Sequence, residues 1–343
     1  MSIYKNILKR PIKILISGIR KIVLPGQKIE GGEELRNYAG LLKIEPKNHI
    51  EKENNNIIGN AFEKYFGDIK IETKNRTITN EEIMEKVDLT DVTFNIPIAI
   101  ESEDRKNNLT LILDYIGKYF NTSVIICESS EKMNIKDFWK PEWSSFVRIL
   151  FAENKTQFFY KTKLLNELAK MSKTEIIVSY DSDVILSPSL YIEAAKAIRN
   201  KEYDFCYPFN KPLKHIKKEN FPLIRDTLDV SIIDPYTEIT HPGVPPGGCF
   251  FMNREKFISA GMENENMISW GPEDQERLYR VRKLGYTVGA LNGSLYHLDH
   301  HITPNSFYTN PIYHKNVDEF NKIQRMSLTE LDDYIKAFYW VKK

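Results

Sequence analysis

Short apolar runs alternate with amphipathic segments through the central part of the chain. The apolar runs are predicted to be buried strands, and they occupy residues 95–100, 123–127 and 175–180. Segments with apolar residues at helical spacing are predicted helices, and they occupy residues 104–120 and 158–171. Ser187 and Pro188 then indicate the start of a third helix. This order predicts an α/β domain with a mostly parallel central sheet and helices on both faces.

The same alternation continues after residue 246. Two glycines lead into a predicted strand at residues 249–252, and a short helix follows from Arg254. A further helix is predicted to open at residues 269–274, to run to Leu284 and to end before a glycine. A strand at residues 286–291 follows it.

The pattern divides the chain into four parts. The α/β domain takes residues 92–306, and a helical extension takes residues 307–343. Residues 29–91 are a polar appendage whose role the sequence does not indicate. Residues 1–28 hold seven basic and no acidic side chains, which alternate with isoleucines and leucines. This basic amphipathic segment either docks on the domain as a helix or, through residues 1–24, lies on an anionic membrane surface.

Composition bounds the class of protein. The chain has 343 residues, 41% of them hydrophobic, 12% aromatic and 28% charged, which suffices for a packed core. No apolar run approaches the ~20 residues of a membrane-spanning helix, no secretory signal is evident, and three widely spaced cysteines do not suit a disulfide framework. We therefore expect a cytoplasmic protein, peripheral to the inner face of the membrane if residues 1–24 bind it. The net charge of +1 argues against nucleic-acid binding.

Two carboxylates directly follow the third predicted strand, in the sequence Asp181-Ser182-Asp183. Residues i and i+2 of an extended chain point the same way, so both carboxylates are expected to project together from the sheet edge. Parallel sheets bind ligands at this edge, and paired carboxylate oxygens suit Mg²⁺ or Mn²⁺. The alternative is a solvated turn.

A second candidate carboxylate opens the helix after residue 269. Asp274 lies four and seven residues before Leu278 and Val281, and it is therefore expected on the inward stripe of that helix. The helix dipole favours its ionised form, which a general base requires. The neighbouring Glu273 fits an ordinary capping acid equally well.

Three of the seven histidines lie within five residues, at His297, His300 and His301. A neutral imidazole there would supply a third ligand to a cation held by Asp183. The alternative is a run of loop histidines.

Taken together, these features resemble the β-1,4-galactosyltransferase family and its bacterial relatives in capsule and lipopolysaccharide synthesis, over roughly residues 93–306. The resemblance is carried, in order, by Pro97 with Arg105 and Leu109, residues 159–166 (FYKTKLLN), Asp181-Ser182-Asp183, residues 247–250 (GGCF), residues 270–274 (WGPED) and His297.

The resemblance implies a GT-A fold, a UDP-sugar donor and Mn²⁺ or Mg²⁺. Asp183 and His297 would ligate the cation, with His300 joining or replacing His297. Arg105 and Lys161 would contact the nucleotide.

The remaining roles follow from the same resemblance. Asp181 would lie near the ribose and the metal-bound phosphates, and Glu128 near the uracil or ribose. Gly248, Trp270 and Glu273 would line the pocket for the donor and acceptor sugars. Asp274 would deprotonate the attacking hydroxyl, so that a hexose or N-acetylhexosamine is transferred with inversion to a saccharide or lipid-linked saccharide, in surface polysaccharide synthesis.

The chain departs from the family at three positions. Ser294 stands where the family has a metal-binding methionine, and Lys161 replaces an arginine, which loses bidentate phosphate geometry. Pro245 replaces a tyrosine that crowds an N-acetyl group in the animal enzymes, so the donor pocket is expected to admit GalNAc as well as Gal.

Other functions remain open from the sequence. A retaining GalNAc transferase shares the tryptophan-glycine stretch but has asparagine in place of Asp274. A metal-dependent phosphohydrolase would use the same acids and histidines, and an inactive sugar-binding module would bind UDP without turnover. The lysines of residues 211–218 either face an anionic lipid-linked acceptor or form a solvated loop.

Overall fold

The structure is a computed structural model. It describes residues 85–240, 243–303, 305 and 311–341 with their side chains, and for the rest of the chain it describes only the backbone of six short strands within residues 2–72.

The strands are numbered in chain order. They are β1 (Ser2–Asn6), β2 (Ile12–Ile16), β3 (Ile19–Val23), β4 (Lys28–Gly31), β5 (Leu41–Ile44), β6 (Lys70–Glu72), β7 (Val87–Ile98), β8 (Phe120–Ser130), β9 (Val147–Glu153), β10 (Ile176–Tyr180), β11 (Val184–Ile185), β12 (Phe205–Tyr207), β13 (Lys214–Ile216), β14 (Glu238–Ile239), β15 (Cys249–Asn253), β16 (Val288–Leu291) and β17 (Tyr296–Leu298).

The α-helices are numbered in the same way. They are α1 (Glu103–Tyr119), α2 (Lys161–Met171), α3 (Pro188–Arg199), α4 (Phe221–Thr227), α5 (Val230–Ile233), α6 (Arg254–Ser259), α7 (Glu273–Lys283), α8 (Tyr313–Arg325) and α9 (Leu328–Lys336).

A central sheet dominates the described part of the chain. Its eight strands lie in the order β6-β16-β12-β15-β10-β7-β8-β9, and neighbours are parallel except where β15 pairs with β10 and β12. All five residues of β10 are buried, as the apolar run predicted for a central strand. The expected α/β class with a mostly parallel sheet is confirmed.

Buried tyrosines fix the chain where it leaves β10. The Tyr180 hydroxyl donates to the Val184 carbonyl at 2.6 Å and lies 2.6 Å from the Tyr191 hydroxyl. The Tyr115 hydroxyl donates to the Leu186 carbonyl at 2.7 Å. Because these bonds hold both sides of the turn at residues 181–183, the acids of that turn have a fixed position over the sheet edge.

A second, smaller sheet lies beside that turn, in the order β11-β17-β13-β14. Val184 of β11 pairs with His297 of β17, and the Leu298 amide donates to the Asp183 carbonyl at 2.7 Å. The sequence did not predict this sheet, because strands of two or three residues carry no readable alternation. It brings the histidine segment against the acidic turn.

The boundaries of several predicted elements change in the structure. The strand predicted at residues 95–100 is the end of β7, which begins at Val87, so the domain starts before residue 92. Strands β9 and β12 were not predicted. The boundary expected at residues 306–307 lies outside the described residues.

The helix considered for the N-terminal segment was wrong. The backbone there forms β1, β2 and β3, and β2 pairs antiparallel with β3. Alternating isoleucines and bases have the period of a strand, and Pro11 and Gly18 separate the short runs. The side chains of residues 1–84, and with them the membrane contact of residues 1–24, lie outside the described residues. No helix in the described part of the chain combines the length and apolar character needed to cross a membrane.

The C-terminal helices are part of the domain core. Ile323, Leu331 and Trp340 are almost fully buried in the same cluster as the sheet residues. The Trp340 indole donates to the Gly261 carbonyl at 3.1 Å. The C-terminal segment is therefore helical, and its apolar side chains belong to the same core as the central sheet.

This packing can be tested with two leucines of α9. Leu331 is 0% exposed and Leu328 is 55% exposed. We expect Leu331→Ala to lower the free energy of unfolding by about 2–5 kcal/mol through the cavity it leaves. Leu328→Ala should change it by no more than about 0.5 kcal/mol. Urea unfolding of both variants measures this, and equal effects would contradict a buried α9.

Candidate active site

One cavity collects nearly all of the residues that the sequence singled out. It has a volume of about 490 Å³ and opens at the carboxyl ends of β7 and β10. All the predicted site residues except Glu128 line it, namely Arg105, Lys161, Asp181, Asp183, Pro245, Gly248, Trp270, Glu273, Asp274, His297 and His300. Their meeting in one cleft agrees with the rule that such sheets bind ligands at this edge.

Asp183, His297 and His300 form one group in this cavity, which we call the metal-ligating group because its donor atoms are placed to hold a metal ion. The ligand atoms of Asp183, His297 and His300 all lie within 4.8 Å of one another. His300 Nε2 is 3.2 Å and His297 Nε2 is 3.9 Å from Asp183 Oδ2. His297 Nδ1 is buried and has no hydrogen-bond partner in the described part of the chain. The donor set fits a divalent cation, and both histidines contribute to it.

The expected side-by-side pair of carboxylates was wrong. Strand β10 ends at Tyr180, and Ser182 and Asp183 form a turn, so the alternation of an extended chain stops before the acids. Asp183 faces the histidines, whereas Asp181 forms an ion pair with Lys161 at 3.1 Å. Asp181 is therefore a neighbour of the metal-ligating group rather than a member of it.

Arg105 lies beside the metal-ligating group. Its guanidinium donates to Asp183 Oδ2, and its own amide donates to the Ser102 hydroxyl at the start of α1. Burial acts to raise the pKa of Asp183, but the hydrogen bond from His300 and the charge of Arg105 outweigh it and hold that pKa below its usual value. Burial lowers the pKa of His297 to about 4, which keeps this imidazole neutral, as a metal ligand must be.

A buried ammonium holds the other half of the cavity together. Lys161 Nζ lies 3.1 Å from Asp181 Oδ1, 3.5 Å from Glu273 Oε1 and 3.4 Å from Asp274 Oδ2. The Lys161 side chain is only 14% exposed. Burial acts to lower its pKa, but the three carboxylates raise it well above the ordinary value, so the ammonium stays charged. Lys161 begins α2 and thus ties this helix to β10 and α7.

Asp274 points inward from the first turn of α7, as its spacing predicted. Its Oδ1 accepts from Arg277 at 2.8 Å and its Oδ2 faces Lys161. Burial acts to raise the pKa of Asp274, and the charges of Lys161 and Arg277 lower it below the usual value. An ionised carboxylate that lines a cavity can accept a proton from a bound hydroxyl.

The adjacent Glu273 has the opposite tendency. Burial and then the charge of Asp274 raise the pKa of Glu273 to about 8. Its Oε2 is buried without a hydrogen-bond partner among the described residues. At neutral pH Glu273 is therefore mainly a carboxylic acid that can donate a hydrogen bond into the cavity, while Asp274 remains a carboxylate.

The two glycines before β15 make room for these side chains. A Cβ at Gly247 would lie 2.2 Å from Asp274 Oδ2, so any other residue would displace that carboxylate. Gly248 has φ +96°, and its carbonyl accepts from the Asp181 amide at 2.8 Å. These contacts explain why a glycine pair precedes the strand.

Glu128 does not line the cavity. It is 0% exposed, and its carboxylate accepts from the amides of Asn134 and Ile135 and from the Asn134 side chain, at 2.8–3.1 Å. Both oxygens already hold the loop after β8, and this arrangement does not favour the contact with a uracil or ribose that was expected of Glu128. The sequence showed that Glu128 ends a strand but not the direction in which its side chain points.

Two neighbouring features were missed from the sequence. Arg277, which pairs with Asp274, has a readable signal in its i+3 spacing on the helix. A second cavity of about 800 Å³ adjoins the first and shares Ala99, Glu101, Phe159 and Asn305 with it. It lies at the ends of β8 and β9 and among the loops that follow them, whose contacts no local pattern indicates.

The lysines of residues 211–218 that were considered as an acceptor site are largely paired with acids. Lys214 pairs with Asp234, Lys217 with Glu238 at 2.7 Å and Lys218 with Asp104 at 2.6 Å. These pairs neutralise most of the positive charge of the loop, which favours the interpretation as a solvated surface.

Comparison with known proteins rests on structure, since no protein-family model and no curated protein matches the chain. The chain is similar to GalNAc-T7 solved with UDP, GalNAc and Mn²⁺, with a TM-score of 0.47 and 12% identity over 68% of this chain and 47% of that one. It is also similar to the catalytic domain of Drosophila β1,4-galactosyltransferase 7 in complex with xylobiose, with a TM-score of 0.35 and 14% identity over 59% of this chain and 66% of that one. Similarities of this strength assign no function to the chain.

The metal-ligating group predicts a specific pattern of cation binding. We expect the protein to bind Mn²⁺, and Asp183→Asn and His300→Ala to weaken binding by about 10-fold or more because each removes a ligand atom. His301→Ala is the matched control, since this exposed histidine lies outside the group. Isothermal titration with MnCl₂ measures the affinities. Unchanged binding by both ligand variants would contradict the site.

Proposed function

We propose that the chain is an inverting, metal-dependent glycosyltransferase of the GT-A type that uses a UDP-sugar donor. The observation that carries this proposal is the shared cavity: the Asp183, His297 and His300 group and the ionised Asp274 line the same cleft. Glycosyl transfer needs these two elements on either side of a reacting sugar, one for the departing diphosphate and one for the attacking hydroxyl.

The metal-ligating group defines the diphosphate side. A divalent cation held there would act as a Lewis acid toward the leaving diphosphate. Mg²⁺ prefers an all-oxygen shell, so the two imidazoles favour Mn²⁺. Arg105 keeps a fixed positive charge at the same place, beside Asp183, where the negative charge of the leaving group would accumulate.

Asp274 supplies the base on the other side. It would accept the proton of an acceptor hydroxyl as that oxygen bonds to the anomeric carbon and the bond from this carbon to the diphosphate oxygen breaks. Attack from the face opposite the leaving group inverts the anomeric centre. A retaining transferase needs no such base, and the low pKa of Asp274 therefore favours inversion.

The second cavity is the best place for the nucleoside of the donor. It joins the main cavity at Phe159, whose ring offers a face on which a base could stack, and at Asn305. This replaces the contact that the sequence analysis expected from Glu128. The diphosphate would then lie between the two cavities, near Asp183.

The donor and acceptor sugars would lie between Trp270, Glu273 and Pro245. The carboxylic acid of Glu273 can donate to a sugar hydroxyl, and the aromatic face of Trp270 suits a sugar ring. The small ring of Pro245 leaves room for an N-acetyl group, so Gal or GalNAc is the proposed donor sugar. The finer proposal is a saccharide or lipid-linked saccharide acceptor in surface polysaccharide synthesis on the cytoplasmic side of a membrane, which the basic residues 1–24 would contact.

A donor screen tests the proposed function. Purified protein with MnCl₂ is incubated with UDP-Gal, UDP-GalNAc, UDP-Glc and UDP-GlcNAc, and UDP release is measured with and without saccharide acceptors. We expect UDP release from UDP-Gal or UDP-GalNAc, and EDTA should abolish it. The NMR signal of the anomeric proton in the product should show that the configuration of the transferred sugar is opposite to that in the donor. Phosphate ester hydrolysis without any sugar transfer would instead support a phosphohydrolase.

The role of Asp274 gives a sharper prediction. We expect Asp274→Asn to lower turnover by at least about 100-fold, because the amide cannot accept the hydroxyl proton. Its affinities for Mn²⁺ and UDP should stay close to those of the wild type, since the metal-ligating group is untouched. Asp318→Asn, at an exposed position of α8, is the control for a lost carboxylate. Wild-type turnover in Asp274→Asn would remove the assigned base.

A further inference from the structure

Asn316, in the first turn of α8, bonds to the loop that carries Trp270. Its Nδ2 donates to the Ile268 carbonyl at 2.8 Å and to the Trp270 carbonyl at 3.1 Å, while its Oδ1 accepts from the Ile268 amide at 3.2 Å. Asn316 is 1% exposed, so these bonds form in a site that excludes water. One side chain thus satisfies three backbone groups of the loop.

The fit around this amide is close. A Cβ at Gly271 would lie 2.6 Å from Asn316 Nδ2, so the loop backbone and the amide pack without space for another atom. Tyr313, one turn earlier on α8, places its ring 5.2 Å from the ring of Trp270. Helix α8 therefore contacts both the backbone and the ring of Trp270.

Helix α2 and the loop before it hold the opposite side of this loop. The Thr162 hydroxyl donates to the Met267 carbonyl and the Ser269 amide donates to the Phe159 carbonyl, both at 2.8 Å. Ser269 has φ +59°, a left-handed conformation that a serine keeps only where surrounding contacts impose it. The loop is therefore clamped in a strained shape between α2 and α8.

The clamp lies directly before the proposed chemistry. Three residues separate Trp270 from Asp274, and Thr162 follows Lys161, whose ammonium faces Asp274. A shift of the loop would move Trp270 and the first turn of α7 relative to Lys161. Displacements of about 1 Å at such positions can cost as much as about 100-fold in rate.

We infer that Asn316 is a positioning residue for the proposed glycosyl transfer: its side-chain amide fixes the Ile268–Trp270 backbone and thereby the placement of Trp270 and Asp274 in the cavity. The inference rests on the proposed function for its effect on rate, and on the hydrogen bonds of Asn316 for its effect on geometry. It assigns an active-site role to α8, the first of the two C-terminal helices.

The matched control comes from the same loop, at a residue that bonds to α8 and to α9. Asn266 Nδ2 donates to Glu319 Oε1 at 3.3 Å and to the Tyr334 hydroxyl at 3.1 Å, at an exposed position away from the cavity. Asn266→Ala removes loop-to-helix hydrogen bonds just as Asn316→Ala does, but it leaves the Trp270 backbone bonded.

The experiment compares full-length wild type, Asn316→Ala and Asn266→Ala. We expect Asn316→Ala to lower kcat by about 10-fold or more with an unchanged Mn²⁺ affinity, and Asn266→Ala to keep kcat within about twofold. Wild-type kcat in Asn316→Ala, or equal losses in both variants, would overturn the inference.

A second readout does not depend on activity. Labelling with 5-fluorotryptophan gives one ¹⁹F resonance for each of the four tryptophans, and Trp270→Phe assigns that of Trp270. The Trp270 resonance should shift in Asn316→Ala and not in Asn266→Ala, and an unshifted resonance would overturn the inference. If wild type releases no UDP, the proposed function fails, while this resonance still decides the positioning contact. If Asn316→Ala does not fold, Gly271→Ala displaces the same amide and is judged by the same criteria.

Discussion

The site depends on one buried positive charge. Lys161 brings together three carboxylates from two distant segments of the chain, Asp181 after β10 and the Glu273–Asp274 pair at the start of α7. Without the ammonium, Asp181 and Asp274 would repel each other in a poorly hydrated cleft, and loss of one partner of a buried ion pair typically costs about 3–5 kcal/mol. The cavity can therefore exist in this form only while Lys161 stays charged, which its raised pKa ensures.

The same charge divides the roles of two adjacent acids. Lys161 and Arg277 both face Asp274, whereas Glu273 faces Lys161 alone, with one of its oxygens unpaired among the described residues. The pKa of Asp274 falls and that of Glu273 rises to about 8, so the cavity offers a proton acceptor beside a proton donor. Arg105 acts similarly on the other side, where it holds Asp183 ionised next to two imidazoles. In the proposed glycosyl transfer, the Asp183 side would face the leaving group and the Asp274 side would face the attacking hydroxyl.

The sequence predicted the parts of this arrangement that local periodicity encodes. Spacing alone predicts the buried run of β10, the helices α1 and α2 and the inward position of Asp274. Eleven of the twelve residues that the motifs singled out line one cavity. It failed where the backbone leaves regular structure. The turn at Asp183 separates the two aspartates, and Glu128 folds back onto its own loop. Side chains alternate between the two faces of a sheet only within a strand, and β10 ends at Tyr180. The alternation could therefore not be extended to Asp181 and Asp183, which explains why they do not project as a pair.

Contacts between distant segments lie beyond such patterns for a further reason. An asparagine in an amphipathic helix reads as a solvated residue, and nothing near Asn316 indicates that a backbone some fifty residues earlier along the chain will need its amide. The requirement arises from Ser269, whose left-handed backbone leaves the neighbouring carbonyls without a regular partner. The backbone carbonyls of a strained loop lack the hydrogen-bond partners that a helix or strand would provide. The element that packs on the loop must therefore supply the missing donors. In this chain that element is α8, which is therefore part of the site that the earlier motifs predict.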